Sequence, residues 1–177
     1  MTDSVSYGGW MDSRGINLVA ALVTALDDGI QGAVTQVAGI AGAAPAALTV
    51  LLSDPGIGVD GLAQALPITG SGAVRLLDRL VGAGLVERRR GKDSRSVALW
   101  LSPAGTEAAR DVLRRRHGVI ADALLGISDE DQRVLVRISE RVLARLTTGR
   151  ESAERICRLC DCAVCPQEQC PVEQGVS

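Results

Sequence analysis

Apolar positions set the first element of this chain. From Asn17 onward, Leu18, Leu22, Leu26, Ile30, Val34 and Val37 recur at helical spacing. Val19 and Val23 add a second apolar stripe in the first half, so this helix asks for two partners, one of which can be a second subunit. Gly39 and Gly42 break the pattern, and a short helix is predicted over Ala43–Ser53, ended by Asp54-Pro55-Gly56. Two more short helices follow, Val59–Leu66 and Gly70–Ala83, parted by Pro67-Ile68-Thr69, with Thr69 as N-cap and Gly84 as C-terminal cap.

The period then changes. LVERRR reads as a strand, GKDSR as a turn and SVALWL as a returning strand, where Val97, Leu99 and Leu101 alternate with Ala98 and Trp100. Ser102-Pro103 opens a helix that reaches about Leu125. Ser128 with Asp131 starts another that reaches about Leu146, with Leu135, Ile138, Val142 and Leu146 on one face. Residues 147–156 read as a polar connector. The fold class predicted is mainly α with a small β-hairpin wing, a winged helix-turn-helix flanked by N- and C-terminal helices. The predicted domains are a loose tail over 1–14, a winged-helix body over 15–148 whose DNA-reading part is 55–103, and a connector with a cysteine-rich segment over 149–177.

Composition sharpens this order of elements. The 177 residues include no Phe, one Tyr and two Trp, so the core must come from Ala, Val, Leu and Ile. The formal net charge of −2 hides a basic patch. Residues 70–99 hold seven cations against three acids, whereas residues 1–69 hold Arg14 against six acids. The uncharged run Gly29–Ser53 contains Pro45, Gln31, Gln36 and several glycines, and reads as a helix end, a turn and a buried helix rather than a membrane span. The start has no basic-then-apolar signal pattern, and a cytoplasmic protein is expected.

The basic patch coincides with the helix-turn-helix and wing. The second helix of such a motif enters the major groove. Arg75 and Arg79 share one face of Gly70–Ala83, Thr69 and Ser71 stand at its positive end, and the hairpin carries Arg88, Arg89, Arg90, Lys92 and Arg95. A cationic hairpin tip suits the minor groove. The Arg133, Arg137, Arg141 and Arg145 stripe lies away from this face and reads as a solvated face or as pairs to a partner's acidic first helix, and Trp100 reads as core. The single His117, after Arg114-Arg115-Arg116, reads as a surface residue.

The stretch GLAQALPITGSGAVRLLDRLVGAGLVERRRGKDSRSVALWLSPAG, residues 61–105, resembles the MarR family of bacterial transcription regulators. The resemblance lies in the two helices, the LVER strand, the wing motif Asp93-Ser94-Arg95 and the Leu-Ser-x-x-Gly start of the next helix, and the order of flanking helices extends it over 15–148. It implies a homodimer with interlocked first and last helices, acting as a repressor on a pseudo-palindromic double-stranded DNA operator, with a small-molecule inducer. It implies Thr69, Ser71 and Arg75 in the major groove, and Arg95 in the minor groove braced by Asp93. Gly70 and Gly72 depart from the family's larger side chains there, and the wing is a residue or two short.

All five cysteines lie between Cys157 and Cys170. A disulfide framework would spread them along the chain, so the clustering favours a metal or redox site. Cys157, Cys160, Cys165 and Cys170 give C-x2-C-x4-C-x4-C, four thiolates suited to tetrahedral zinc and similar to a zinc knuckle with Cys in place of His. With Cys162 as a substitute ligand, the start C-x2-C-x-C resembles iron–sulfur regulators of the SoxR kind, and Cys165-Pro166 and Cys170-Pro171 resemble ferredoxin runs. Zinc is the first expectation and an iron–sulfur cluster or thiol redox switch the second. A thiol oxidoreductase is the reading from another class; the sequence offers it no nucleotide loop, no Cys–His pairing and no second catalytic constellation.

Overall fold

The computed structural model describes residues 12–35, 37, 39, 42–91, 96–165 and 167–176. Its elements run α1 (Ser13–Val34), α2 (Ala44–Ser53), α3 (Val59–Ala65), α4 (Gly70–Gly82), β1 (Val86–Arg90), β2 (Val97–Leu101), α5 (Pro103–Ala123), α6 (Asp129–Leu146), α7 (Arg150–Cys157) and α8 (Pro171–Gln174), with a 3-10 turn at Gln167–Gln169. No helix among the described residues is long and apolar enough to cross a membrane.

Capping explains where the helices begin. The Gly15 N–H donates to Asp12 Oδ1 at 2.7 Å, so α1 starts ahead of the first apolar position and takes in Ser13 and Arg14, which the sequence placed in the tail. The Gly72 N–H donates to Thr69 Oγ1 at 3.1 Å, the Gly105 N–H to Ser102 Oγ at 3.0 Å and the Asp131 N–H to Ser128 Oγ at 3.1 Å. Gly84 adopts φ 71° after α4, a conformation that suits a residue without Cβ.

The core is aliphatic throughout. Leu48, Leu51, Leu62, Leu66, Leu76, Leu77, Leu80 and Leu99 are all fully buried, joining α2, α3, α4 and the hairpin. The hairpin pairs Val86 with Leu101, Arg88 with Leu99 and Arg90 with Val97 in antiparallel register. Its outer edge is covered by the α2–α3 loop: the Gly56 N–H donates to the Leu99 carbonyl at 2.8 Å and the Leu99 N–H to the Ile57 carbonyl at 3.0 Å. The wing is thereby pinned to the helix-turn-helix by backbone bonds.

The long helices are only half used. α1 packs along α5, with Val34, Val37 and Val112 buried and a Cβ on Gly29 only 3.0 Å from Val119. Its first half leaves Leu18, Val19, Leu22 and Val23 at least 50% exposed. α6 has no buried residue, and Leu135, Val136, Ile138, Val142 and Leu146 are exposed along it.

The connector is largely helical. Residues 150–157 form α7 because Ala153 and Ile156 supply one apolar face, and the Ser152 hydroxyl accepts from the Thr148 N–H at 2.7 Å. That short face is masked in the sequence by the charges of RESAERIC, and its partners, Leu143, Cys170 and Val172, come from elsewhere in the chain.

Candidate DNA-reading surface and cysteine segment

α4 buries Ala73, Leu76, Leu77 and Leu80 and turns its other face to solvent. Arg75 and Arg79 stand on that exposed face with Asp78. They border a shallow cleft of about 530 Å³ shared with Ala43, Ile68, Gly72 and Leu76. At the helix start, Thr69 Oγ1 and Ser71 Oγ lie 3.2 Å apart, both exposed. A Cβ on Gly72 would come within 3.2 Å of Thr69 Oγ1 and 3.5 Å of Ile68 Cβ, so that glycine keeps the cap uncrowded; a Cβ on Gly70 would meet nothing within 4 Å.

The strand arginines are not equivalent. Arg88 Nη2 donates to Asp78 Oδ1 at 2.8 Å, tying β1 to α4. Arg89 donates from Nε and Nη2 to Glu87 Oε2 at 3.1 and 2.9 Å, and its guanidinium lies 5.0 Å from the Trp100 ring. Arg90 is exposed. Lys92, Asp93 and Arg95, the wing-tip residues predicted for the minor groove, lie outside the described residues. Trp100 is only partly buried; it faces out of the hairpin beneath Arg89, opposite Glu87, and its ring lies 3.1 Å from where a Gly56 Cβ would stand. The expectation of a core Trp is corrected by strand register, which places it on the face that Arg89 covers. Asp78 was not legible as the partner of Arg88, because that pairing depends on how β1 crosses α4, whereas Glu87 meets Arg89 two residues along the same strand and Trp100 meets it through the hairpin register.

The cysteine segment folds back on the body. α7 packs on α3 and α8 packs on α6. Arg150 Nη1 donates to both oxygens of Glu173 at 2.8 and 2.9 Å, joining the two short helices. Cys157 and Cys170 enter one apolar cluster with Ala153, Ile156 and Val172. The Cys160 N–H donates to the Cys157 carbonyl at 2.8 Å. The Cys157 thiol also donates to the Cys160 sulfur. That bond, with help from Arg116 and Arg158 against the cost of burial, brings the Cys160 thiol down to about 6. Cys157, which gives the proton, is pushed up by that bond and by burial. Cys165 is raised by desolvation and by a hydrogen bond with Cys170. Cys157, Cys160, Cys165 and Cys170 therefore form two thiol pairs in one neighbourhood, with Cys162 exposed at its edge. Among the described residues, no three Cys, His, Asp or Glu side chains are drawn up as a group that could hold a metal ion.

Beside these thiols, Arg110, Leu113, Arg114, Arg116 and His117 of α5 face Cys160 and Cys165 across a cleft of about 560 Å³.

Residues 38–96 match the model of the MarR family. That match covers about a third of the chain, the helix-turn-helix and the first strand of the wing. The fold agrees with solved MarR-type structures. A MarR family protein from Bacillus stearothermophilus aligns at 22% identity and TM-score 0.66, over 78% of this chain and 100% of that one. RV1404 from Mycobacterium tuberculosis aligns at 24% identity and TM-score 0.64, over 75% and 92%. MepR, a transcription regulator of the Staphylococcus aureus multidrug efflux pump MepA, aligns at 17% identity and TM-score 0.64, over 74% and 97%. No curated protein sequence matches the chain.

Proposed function

We propose that this chain is a homodimeric repressor of the MarR type that reads a pseudo-palindromic double-stranded DNA operator, and that its cysteine segment holds zinc. The observation that carries the DNA reading is the exposed face of α4. Arg75 and Arg79 stand off a sealed leucine core, with the Thr69 and Ser71 hydroxyls at the positive end of the same helix. Arg90 is exposed beside them, while Arg88 and Arg89 are engaged by Asp78 and Glu87. The bare apolar faces of α1 and α6 favour a second copy of the chain, since contiguous exposed apolar surface marks an association site. The cleft between α5 and the cysteine segment, lined by Arg110 and Arg116, suits an anionic inducer.

The metal reading rests on the gathering of Cys157, Cys160, Cys165 and Cys170. Four thiolates match the tetrahedral preference of zinc.

Fluorescence anisotropy on DNA from the region upstream of the protein's own coding sequence tests the main reading. Binding that weakens steeply with salt and exceeds binding to unrelated DNA is expected. Absence of any preferred DNA, there or in a randomised pool, would sink it. Elemental analysis of anaerobically purified protein tests the zinc, and a visible absorbance band would assign an iron–sulfur cluster instead.

A further inference from the structure

Cys160 stands on the wall of the cleft along α5, and Cys157 stands behind it, in contact with its sulfur. The Cys160 N–H donates to the Cys157 carbonyl at 2.8 Å, the bond of a four-residue turn. Such a turn holds its first and last Cα atoms within about 7 Å, the span that a disulfide can bridge. Leu159, inside the turn, packs against both the main core and the Val34–Val37–Val112 cluster, which fixes the turn to the body beside α5. Cys165 lies on the same wall and pairs with Cys170, but no backbone bond joins those two residues.

The cleft favours negative charge. Arg110 and Arg116 line it without an ion pair among the described residues, whereas Arg114 beside them is held by Glu107 and Asp111. The acid on the wall, Asp161, accepts from the Ala163 N–H at 3.0 Å. Leu113 and Val164 add an apolar strip, and the volume of about 560 Å³ is that of a small-molecule site. Unpaired guanidinium groups suit carboxylates. A thiol on the wall with a second thiol in contact behind it is a pairing that an inducer held by charge alone would not need.

We propose that the cleft takes a small disulfide bearing carboxylates, which Cys160 attacks and Cys157 resolves. The Cys160 sulfur bonds to one sulfur of R–S–S–R, the S–S bond of the ligand breaks, and the leaving R–S⁻ takes the electron pair and the proton that Cys160 gives up. Cys157 then attacks the Cys160 sulfur, closing the Cys157–Cys160 disulfide and releasing the second R–SH with the Cys157 proton. Two electrons pass from the two cysteines to the ligand, which leaves as two thiols. The exchange needs no metal ion and stands apart from the zinc reading, although the two share these thiols.

The test uses full-length protein, reduced and kept anaerobic, with metal content measured on the same sample. Glutathione disulfide is the anionic probe and 2-hydroxyethyl disulfide the neutral one. With glutathione disulfide the intact protein should lose two hydrogens by mass, and peptide mapping should find Cys157 joined to Cys160. Cys157→Ser should instead accumulate one glutathione on Cys160, and Cys160→Ser should leave Cys157 unmodified. Arg110→Glu should lower the ratio of the anionic to the neutral rate about tenfold, the scale of electrostatic steering. Both probes meet the same thiol, so that ratio does not depend on how well the variant folds. A disulfide between other cysteines, or glutathione on a residue other than Cys160 in Cys157→Ser, overturns the roles of the two thiols. A ratio unchanged by Arg110→Glu overturns the anionic ligand. No reaction overturns both, whatever the metal content, which reports on the zinc reading alone.

Discussion

The Ser102 hydroxyl donates to the Gly84 carbonyl at 2.6 Å while accepting from the Gly105 N–H at 3.0 Å. A single buried oxygen therefore joins the turn after α4 to the start of α5. The Ser102 N–H adds a bond to the Leu85 carbonyl at 3.0 Å. Ser102→Ala removes an N-cap and the donor to the Gly84 carbonyl. Loss of a cap costs about 1 kcal/mol, and Gly84 is exposed, so water can take over its carbonyl. A drop of about 1 kcal/mol in unfolding free energy is expected in urea denaturation.

Glycines of α5 should behave in opposite ways. A Cβ on Gly105 would stand 1.9 Å from the Leu85 carbonyl oxygen, and that backbone is held by the Leu85 N–H donating to the Leu80 carbonyl and by the Ser102 N–H. Gly105→Ala should therefore destabilise by about 1–3 kcal/mol through overpacking. A Cβ on Gly118 meets nothing within 4 Å in the helix interior. Gly118→Ala should stabilise by about 0.5–1 kcal/mol. Paired thermal unfolding curves check both signs.

Neighbouring arginines should contribute unequally to DNA binding. Arg75 is exposed on α4, whereas Arg88 is engaged by Asp78 at 2.8 Å. Arg75→Ala should cost about 1–3 kcal/mol on the preferred site and less on unrelated DNA, as expected for a base-reading side chain. Arg88→Ala should cost less than Arg75→Ala on the preferred site and lower both DNAs alike. Equal losses from the two variants on every DNA would remove Arg75 from base reading.

Association should depend on the bare faces of α1 and α6. Leu22 on α1 is 50% exposed and Val142 on α6 is 48% exposed. Placing Glu at either position would force a charge into an apolar interface. Sedimentation should show wild-type dimers, and predominantly monomers for Leu22→Glu and Val142→Glu at micromolar concentration. The isolated winged-helix core should keep its helical content, because neither residue belongs to it.

Acid should erase one small contribution. Asp111 accepts from Arg115 Nε at 2.8 Å and from Arg114 Nη2 at 3.3 Å. The bond from Arg115 outweighs burial and holds its carboxyl below the ordinary value of 3.8. A depressed folded value means the stabilisation is present above the ordinary value and is lost as pH falls below 3.8. Asp111→Asn should cost about 0.5 kcal/mol near neutrality, the scale of an exposed pair. The difference from wild type should vanish in strong acid.

Most of the winged-helix body was legible in the chain because its signals are local. The α4 stripe of Ala73, Leu76, Leu77 and Leu80, the Thr69 and Ser102 caps and the alternation of β2 each depend on residues a turn apart. The candidate DNA residues on α4 followed from the same periodicity, since burying one face exposes the other. α7 was missed because its apolar face is too short to stand out without Leu143, Cys170 and Val172, which complete it.

The sequence by itself determined the order of elements, an aliphatic core without Phe, the basic α4 and hairpin, and the clustering of all five cysteines between Cys157 and Cys170. Tertiary structure alone decided that Arg88 is held by Asp78 of α4 and that Arg89 lies against Trp100 of the opposite strand. It also decided that the cysteine segment turns back so that Leu159 packs against the base of the helix-turn-helix. The reason is physical. Periodicity reports which face of an element is apolar, but contacts between distant residues arise only when those faces are buried against one another.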